Sequence, residues 1–323
     1  MKYLKEVVLT AALISLAACG GGDGDGDNKV TLGQSGDFQL SITDAPVDMA
    51  EEVNITFDKV TVKPLEGSPK ELEDLEIATI NLLDYTGGDS ELLVDTTDES
   101  TDAPLPAGEY EWMRFHISEA NIIIAGQQYE LEVPSGDTSG LKVNTPFSIP
   151  ANDIGFFTID FDLRHSVIGP FDVKRGNAAT GEQYYKLKPV LRLIENNDVG
   201  KVTGAVDSTL LATCSTEEDL PAAVYLFGGE LEEEDLDDID HEVADGDRQV
   251  VDLIDPFMSV SLSYDAGDAP FNFGFVPAGT YSIVLACGED NADQDEDELE
   301  YEGLQEIVVT AGEITEVTLA DES

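Results

Sequence analysis

Leu105-Pro-Ala-Gly-Glu-Tyr110 recurs in the second half of the chain as Val276-Pro-Ala-Gly-Thr-Tyr281. Proline fixes φ at the first turn position and glycine tolerates positive φ, so each copy predicts a tight turn. The tyrosine that follows opens a strand at an inward-facing position. The runs around the first copy agree: Phe38-Gln-Leu-Ser-Ile42 and Val53-Asn-Ile-Thr-Phe57 alternate, and Val60-Thr-Val62 continues the second. Further strands are expected over residues 112–124, 128–133, 156–163 and 185–194. Asp44-Ala-Pro46, the stretch 104–108 and Pro134-Ser-Gly136 are the turn signals between them. Around the second copy, strands are expected at 202–206, 223–227, 271–275, 281–287, 306–309 and 316–319. Period-two runs separated by turn residues at this spacing predict β-sandwiches. Beyond the first 18 residues no stretch carries a long apolar stripe of helical period. The expected fold class is all-β, with two β-sandwich domains.

Asn196, Asn197, Asp198 and Gly200 mark a boundary by turn chemistry. The domain plan is therefore residues 36–195 and 200–320, preceded by two short segments at 1–18 and 19–35. The formal net charge is −52, from 16 basic and 68 acidic residues. Nucleic-acid binding needs clustered lysine and arginine, so this balance excludes it as a partner. It also disfavours lying flat on anionic lipid and fits a solvated surface in saline water. An apolar content of 41% is enough to build real cores. The stretch 230–247 is so charged that a surface loop or short solvated helix is expected there.

Lys2 and Lys5 precede an apolar run, residues 7–16, that ends in Leu16-Ala-Ala-Cys19. The run is too short for a permanent span, which needs about 20 apolar residues. It fits a secretory signal segment with a small-residue cleavage site. The Leu-Ala-Ala-Cys ending resembles the bacterial lipobox. That resemblance implies cleavage before Cys19, lipid on its thiol and further acylation, as with palmitate, of the new amino terminus. Each buried methylene contributes about 0.8 kcal/mol, and two or more chains anchor stably. Gly20-Gly-Gly-Asp-Gly-Asp-Gly-Asp-Asn28 then reads as an acidic tether. Its Asp-x-Asp-x-Asp start resembles a calcium loop, but Asn28 and Gln34 hold the positions that need glycine and glutamate. Glycine rather than aspartate at position 20 resembles an outer-membrane address.

Two further resemblances follow the corners. The Pro-Ala-Gly-x-Tyr turn, the opening Gly200-Lys-Val-Thr-Gly204, Phe273-Gly-Phe275 and the closing pair around Ala311-Gly312 resemble carboxypeptidase-regulatory-like and other transthyretin-like sandwiches. Such domains support, space or bind. The first domain resembles the lipoprotein family catalogued as domain of unknown function 4382. The residues that carry the likeness are Leu40-Ser-Ile-Thr-Asp-Ala-Pro46, Gly140-Leu-Lys142, Phe161-Asp-Leu-Arg-His-Ser-Val167 and Tyr185-Lys-Leu-Lys-Pro-Val-Leu-Arg192. The resemblance implies a secreted envelope domain and supplies no activity.

With Cys19 assigned to lipid, Cys214 and Cys287 remain, and an oxidising compartment favours a disulfide between them. Two free buried thiols are the alternative. Residues 210, 212 and 214 would share one strand face, as would 281, 283, 285 and 287. The three histidines, His116, His165 and His241, are scattered and match no zinc spacing. His165 and Ser166, as strand neighbours, would face opposite ways. Asp44 reads as a turn residue accepting backbone N–H bonds. The densest carboxylate run holds Asp290, Asp293, Asp295, Asp297 and Glu300, weak candidates for calcium, although its order departs from an EF-hand loop.

No catalytic residue, cofactor or metal site is assigned. The expectation is a lipid-anchored, non-enzymatic binding or structural module of the cell envelope. Its partners would be the membrane, through lipid, and an envelope glycan or protein. An envelope enzyme acting on polysaccharide or peptide, or a calcium-dependent adhesion module, are the alternatives.

Overall fold

The computed structural model describes residues 35–45, 50–72, 78–97, 105–134, 140–175, 178–188, 190–214, 221–239, 253–262, 267–288, 290 and 299–321. The signal segment, Cys19 and the tether lie outside them. Among the described residues no helix is long and apolar enough to cross a membrane.

The alternating runs of the first half form β1 (Ser35–Ala45), β2 (Glu52–Pro64), β3 (Lys70–Leu72), β4 (Ala78–Asn81) and β5 (Glu91–Asp95). β6 (Leu105–Pro106) passes through the corner into the long β7 (Gly108–Ile124), which turns back as β8 (Gln127–Glu132). Next come β9 (Leu141–Val143), β10 (Phe147–Ile149) and β11 (Ile154–Asp162). One helical turn, α1 (Leu163–Ser166), leads to β12 (Val167–Arg175), β13 (Ala178–Leu187) and β14 (Leu191–Glu195).

These strands make two sheets. One runs β14-β11-β1-β5 with β6 on β1. The other runs β12-β13-β8-β7-β2-β3, with β4 on β2 and β9 and β10 on β7. The fold is all-β, as expected. β1 and β11 pair in parallel. Parallel neighbours need a long crossover, and here the crossover carries strands of the facing sheet. The core lies between the sheets, with Phe38, Leu40 and Ile42 of β1, Val53, Ile55 and Phe57 of β2, and Phe157, Ile159 and Phe161 of β11.

The second half holds β15 (Val199–Val206), α2 (Ser208–Leu211), β16 (Ala222–Gly228), β17 (Met258–Ser261), β18 (Ala269–Pro277), β19 (Gly279–Cys287), β20 (Glu300–Val309) and β21 (Ile314–Leu319). Its sheets are β18-β15-β21 and β17-β16-β19-β20, and a second apolar core lies between them.

Both corners form as read. The Tyr110 hydroxyl donates to the Pro106 carbonyl at 2.7 Å and the Tyr281 hydroxyl to the Pro277 carbonyl at 2.8 Å. Gly108 takes φ +135°, whereas Gly279 does not need a positive φ. There the Tyr281 ring sits 3.4 Å from where a side chain would begin.

Three local expectations are corrected. Residues 210–214 are not a strand. Asp207 caps α2 by accepting from Thr209 N at 2.7 Å, and the chain then turns through Cys214. Asp44 is not a turn residue: it is buried within β1, opposite Phe161. The stretch from 230 is not wholly solvated. Leu236 and Ile239 are buried against Ala223, Tyr225 and Phe227 of β16 and Val284 and Ala286 of β19. These two strands are covered on both faces, which explains their continuous apolar sequences.

No linker separates the two sandwiches. A 3-10 turn, Asn196–Asp198, joins β14 to β15. The outward residues of β11, Thr158, Asp160 and Asp162, are all buried. Thr43, Gly88 and Asp160, with Asp44, line a water-sized gap with Met258, Ser259 and Gly274 from across the joint. Arg192 of β14 pairs with Asp160 and donates to the Phe257 carbonyl at 2.9 Å.

Candidate functional site

β7 carries the most distinctive exposed chemistry. Met113, Phe115 and Ile117 enter the core, so Trp112, Arg114 and His116 alternate onto the outer face. The register of β2 sets Lys63 opposite Trp112, Thr61 opposite Arg114 and Lys59 opposite His116. On the other side, β9 sets Lys142 opposite Arg114. Trp112 is the only tryptophan of the chain. The Arg114 guanidinium lies 5.0 Å and the Lys142 ammonium 4.9 Å from its ring centroid. Lys142 is exposed, while Trp112 and Arg114 are half-buried.

The edges of this face are partly neutralised. Lys59 pairs with Glu71 and Lys63 with Glu111, each at 3.4 Å. His116 Nε2 lies 3.5 Å from Thr61 Oγ1. Burial lowers the His116 pKa below the usual imidazole value, and the Lys59 and Arg114 charges lower it further against Asp58 and Glu71. Four lysine and arginine side chains thus share the sheet face that carries Trp112, two of them over its ring. Among the described residues neither Arg114 nor Lys142 makes an ion pair. Towards the far end of β7 the same sheet turns acidic, with Glu119, Glu130 and Glu132 around a shallow cleft.

The Trp112 face is absent from the sequence-based site candidates. Its signal was there: Trp112-x-Arg114-x-His116 places three non-core side chains on one face of a strand. The scarcity of basic residues, which excludes a polyanion-binding surface of the nucleic-acid kind, hides that four of them share one sheet face.

The expected residues fall elsewhere. Cys214 and Cys287 are both buried and form a disulfide. Of the calcium candidates, Asp293, Asp295 and Asp297 lie outside the described residues. Asp290 and Glu300 are not brought into a common site. Asp290 Oδ2 accepts from the Tyr225 hydroxyl and from Ile239 N, whereas Glu300 is exposed on β20, opposite Cys287. The Tyr301 hydroxyl donates to the Asp237 carbonyl at 2.8 Å. Burial, then neighbouring Asp238, push the Asp237 carboxyl up to about 6. Among the described residues no group of three or more His, Cys, Asp or Glu is arranged to hold a metal ion.

Ser166 lies on a helical turn rather than a strand, which corrects the geometry expected for it. It is fully buried, donating to the Asp162 carbonyl and accepting from Val190 N at 2.9 Å. Its hydroxyl is occupied by backbone. His241 lies outside the described residues.

Residues 35–189 match the family described as Domain of unknown function (DUF4382). The match spans β1 to β13 and includes the Trp112 face. No curated protein matches the sequence. Among solved structures, a candidate adhesin from Bacteroides ovatus aligns at 10% identity and a TM-score of 0.21, covering 95% of this chain and 100% of its own. GBS52, the minor pilin of Streptococcus agalactiae, aligns at 8% identity and 0.17, covering 87% of this chain and 94% of its own. The major pilin T-13 of Streptococcus pyogenes aligns at 12% identity and 0.18, covering 89% and 98%. Alignments this loose carry no functional argument.

Proposed function

We propose that this chain is a non-catalytic binding module of the bacterial cell envelope, held by lipid on Cys19 and presenting the Trp112 face to its ligand. The observation that carries the reading is the face itself. A chain of net charge −52 sets four cations on the sheet face of its only tryptophan, and two of them, Arg114 and Lys142, lie over the ring. Structural cations on so acidic a protein would be expected to pair with its own carboxylates. Arg114 and Lys142 instead lie against the ring.

Leu16-Ala-Ala-Cys19 supports lipidation, and glycine at position 20 supports an outer-membrane address. The second sandwich is read as a supporting module of the carboxypeptidase-regulatory-like kind. Its Tyr281–Pro277 corner supports that reading. Its contacts with the first sandwich through Arg192 hold the two as one body.

Two measurements test this. The native chain should incorporate labelled palmitate, and Cys19→Ser should not. Full-length Cys19→Ser protein should co-sediment with isolated envelopes of the producing bacterium. Adding Trp112→Ala, Arg114→Gln and Lys142→Gln should abolish co-sedimentation without shifting the melting temperature. Undiminished co-sedimentation of that variant would remove the face from the function.

A further inference from the structure

We infer that the ligand of the Trp112 face is an acidic polysaccharide carrying carboxylate groups, a polyuronate. This rests on the reading of that face as a binding surface. A pyranose ring offers an apolar C–H face that an aromatic side chain covers, and Trp112 supplies the largest such surface available. A uronate adds one carboxylate per sugar, which a guanidinium or ammonium beside the ring meets in a charge-assisted hydrogen bond. Arg114 and Lys142 lie over the ring, 5.0 and 4.9 Å from its centroid, within reach of the charged groups of a sugar that meets the ring. Lys59 and Lys63 already pair with carboxylates, those of Glu71 and Glu111, on the same face.

Charge density separates this ligand from nucleic acid, the other polyanion that stacks on aromatic rings. Nucleic-acid binders make about 6–10 phosphate contacts. Here four cations, two of them already paired with Glu71 and Glu111, supply far fewer. The acidic cleft lined by Glu119, Glu130 and Glu132 bounds the face along β7. A ligand with sparse charge and uncharged ring faces suits such an island better than a densely charged strand.

The net charge gives the complex an unusual salt response. The whole chain repels a polyanion over about 30 Å at 10 mM salt but over only about 8 Å at 150 mM. Contacts at the Trp112 face act at shorter range than either distance. Binding should therefore strengthen as salt rises from 10 to 150 mM, opposite to the usual trend for lysine and arginine on a polyanion.

Tryptophan fluorescence reports on this face alone, because Trp112 has no counterpart elsewhere in the chain. The full chain in detergent is titrated with polygalacturonate, neutral dextran, dextran sulfate and single-stranded DNA. The expected result is a saturable change with polygalacturonate, tighter at 150 than at 10 mM salt, and at least tenfold weaker response to the other three. Lys142→Gln, on an exposed side chain, should weaken polygalacturonate binding at least threefold. Arg114→Gln with Lys142→Gln should weaken it at least tenfold. No saturable response, or equal binding of dextran, dextran sulfate or DNA, overturns the ligand assignment. If chains instead self-associate through Trp112 and Arg114, the face remains a binding surface and the polysaccharide assignment falls. If polygalacturonate binds and the variants bind equally well, the placement at Trp112 falls.

Discussion

Arg192 reaches from the last strand of the first sandwich to Asp160 on β11, and the pair sits at the joint with the second sandwich. The same guanidinium donates to the Phe257 carbonyl and lies 4.5 Å from the Phe257 ring centroid. Asp160 is 2% exposed. Burial pushes its pKa up, and the Arg192 charge pulls it back. Breaking a buried pair leaves an uncompensated charge, at a cost of about 3–5 kcal/mol. Arg192→Met should destabilise by about 3 kcal/mol, near the lower end because the arginine is partly exposed. Adding Asp160→Asn should recover part of the loss. Without Arg192 the carboxyl pKa climbs further, so folding then favours its protonated form. The deficit of Arg192→Met should therefore shrink as pH falls. Urea unfolding at pH 7.5 and 5 measures all three effects.

Gly274 and Gly88 press backbone against backbone across the same joint. A Cβ on Gly274 would lie 2.0 Å from the Gly88 Cα, and Gly88 itself holds φ +95°. No side-chain rotation relieves that clash. Gly274→Ala should force the sandwiches apart and cost at least about 1–3 kcal/mol, the usual penalty of overpacking. Calorimetry should show two resolved melting transitions in the variant and one in the native chain. A single unshifted transition would mean that the joint does not couple the sandwiches.

What was legible in the sequence was local. The two Pro-Ala-Gly-x-Tyr corners were readable because turn chemistry and the following inward tyrosine lie within six residues. The Cys214–Cys287 pair was readable because only two thiols remained once Cys19 was assigned. The joint was not. Thr158, Asp160 and Asp162 alternate with Phe157, Ile159 and Phe161 and so read as a solvent face, yet all three are buried, and Asp160 faces residues of the other sandwich. The parallel β1–β11 pairing left no local trace, because its partners lie more than 100 residues apart. The burial of Leu236 and Ile239 did leave one. Ala222-Ala-Val-Tyr-Leu-Phe227 is apolar at every position, which only a strand covered on both faces requires. The charge around Leu236 outweighed that signal.

The disulfide joins the turn after α2 to the end of β19, across a sequence separation of 73 residues. Closing a loop of that length in the unfolded chain contributes about 4 kcal/mol on the chain-entropy model. Cys214→Ser with Cys287→Ser should lower the melting temperature markedly, and dithiothreitol should reproduce the loss in the native chain only. Equal melting of native protein with and without reductant would show that the bond adds nothing.

Asp237 gives the second sandwich a pH dependence of its own. Its carboxyl is pushed up to about 6 by burial and by Asp238, whereas an unfolded aspartate titrates near 3.9. Between those values the folded state holds a proton that the unfolded state releases. The contribution of Asp237 to stability therefore grows as pH falls through about 6 and is lost as pH rises through it. The rest of this acidic chain also gains on acidification, since self-repulsion weakens, so the difference between two proteins is the informative quantity. Asp237→Asn should be at least as stable as the native chain at pH 7.5, and its advantage should vanish by about pH 4, where both side chains are neutral. Melting curves every half unit from pH 4 to 7.5 trace the gap. A gap that stays constant across that range would mean that Asp237 titrates with an ordinary pKa.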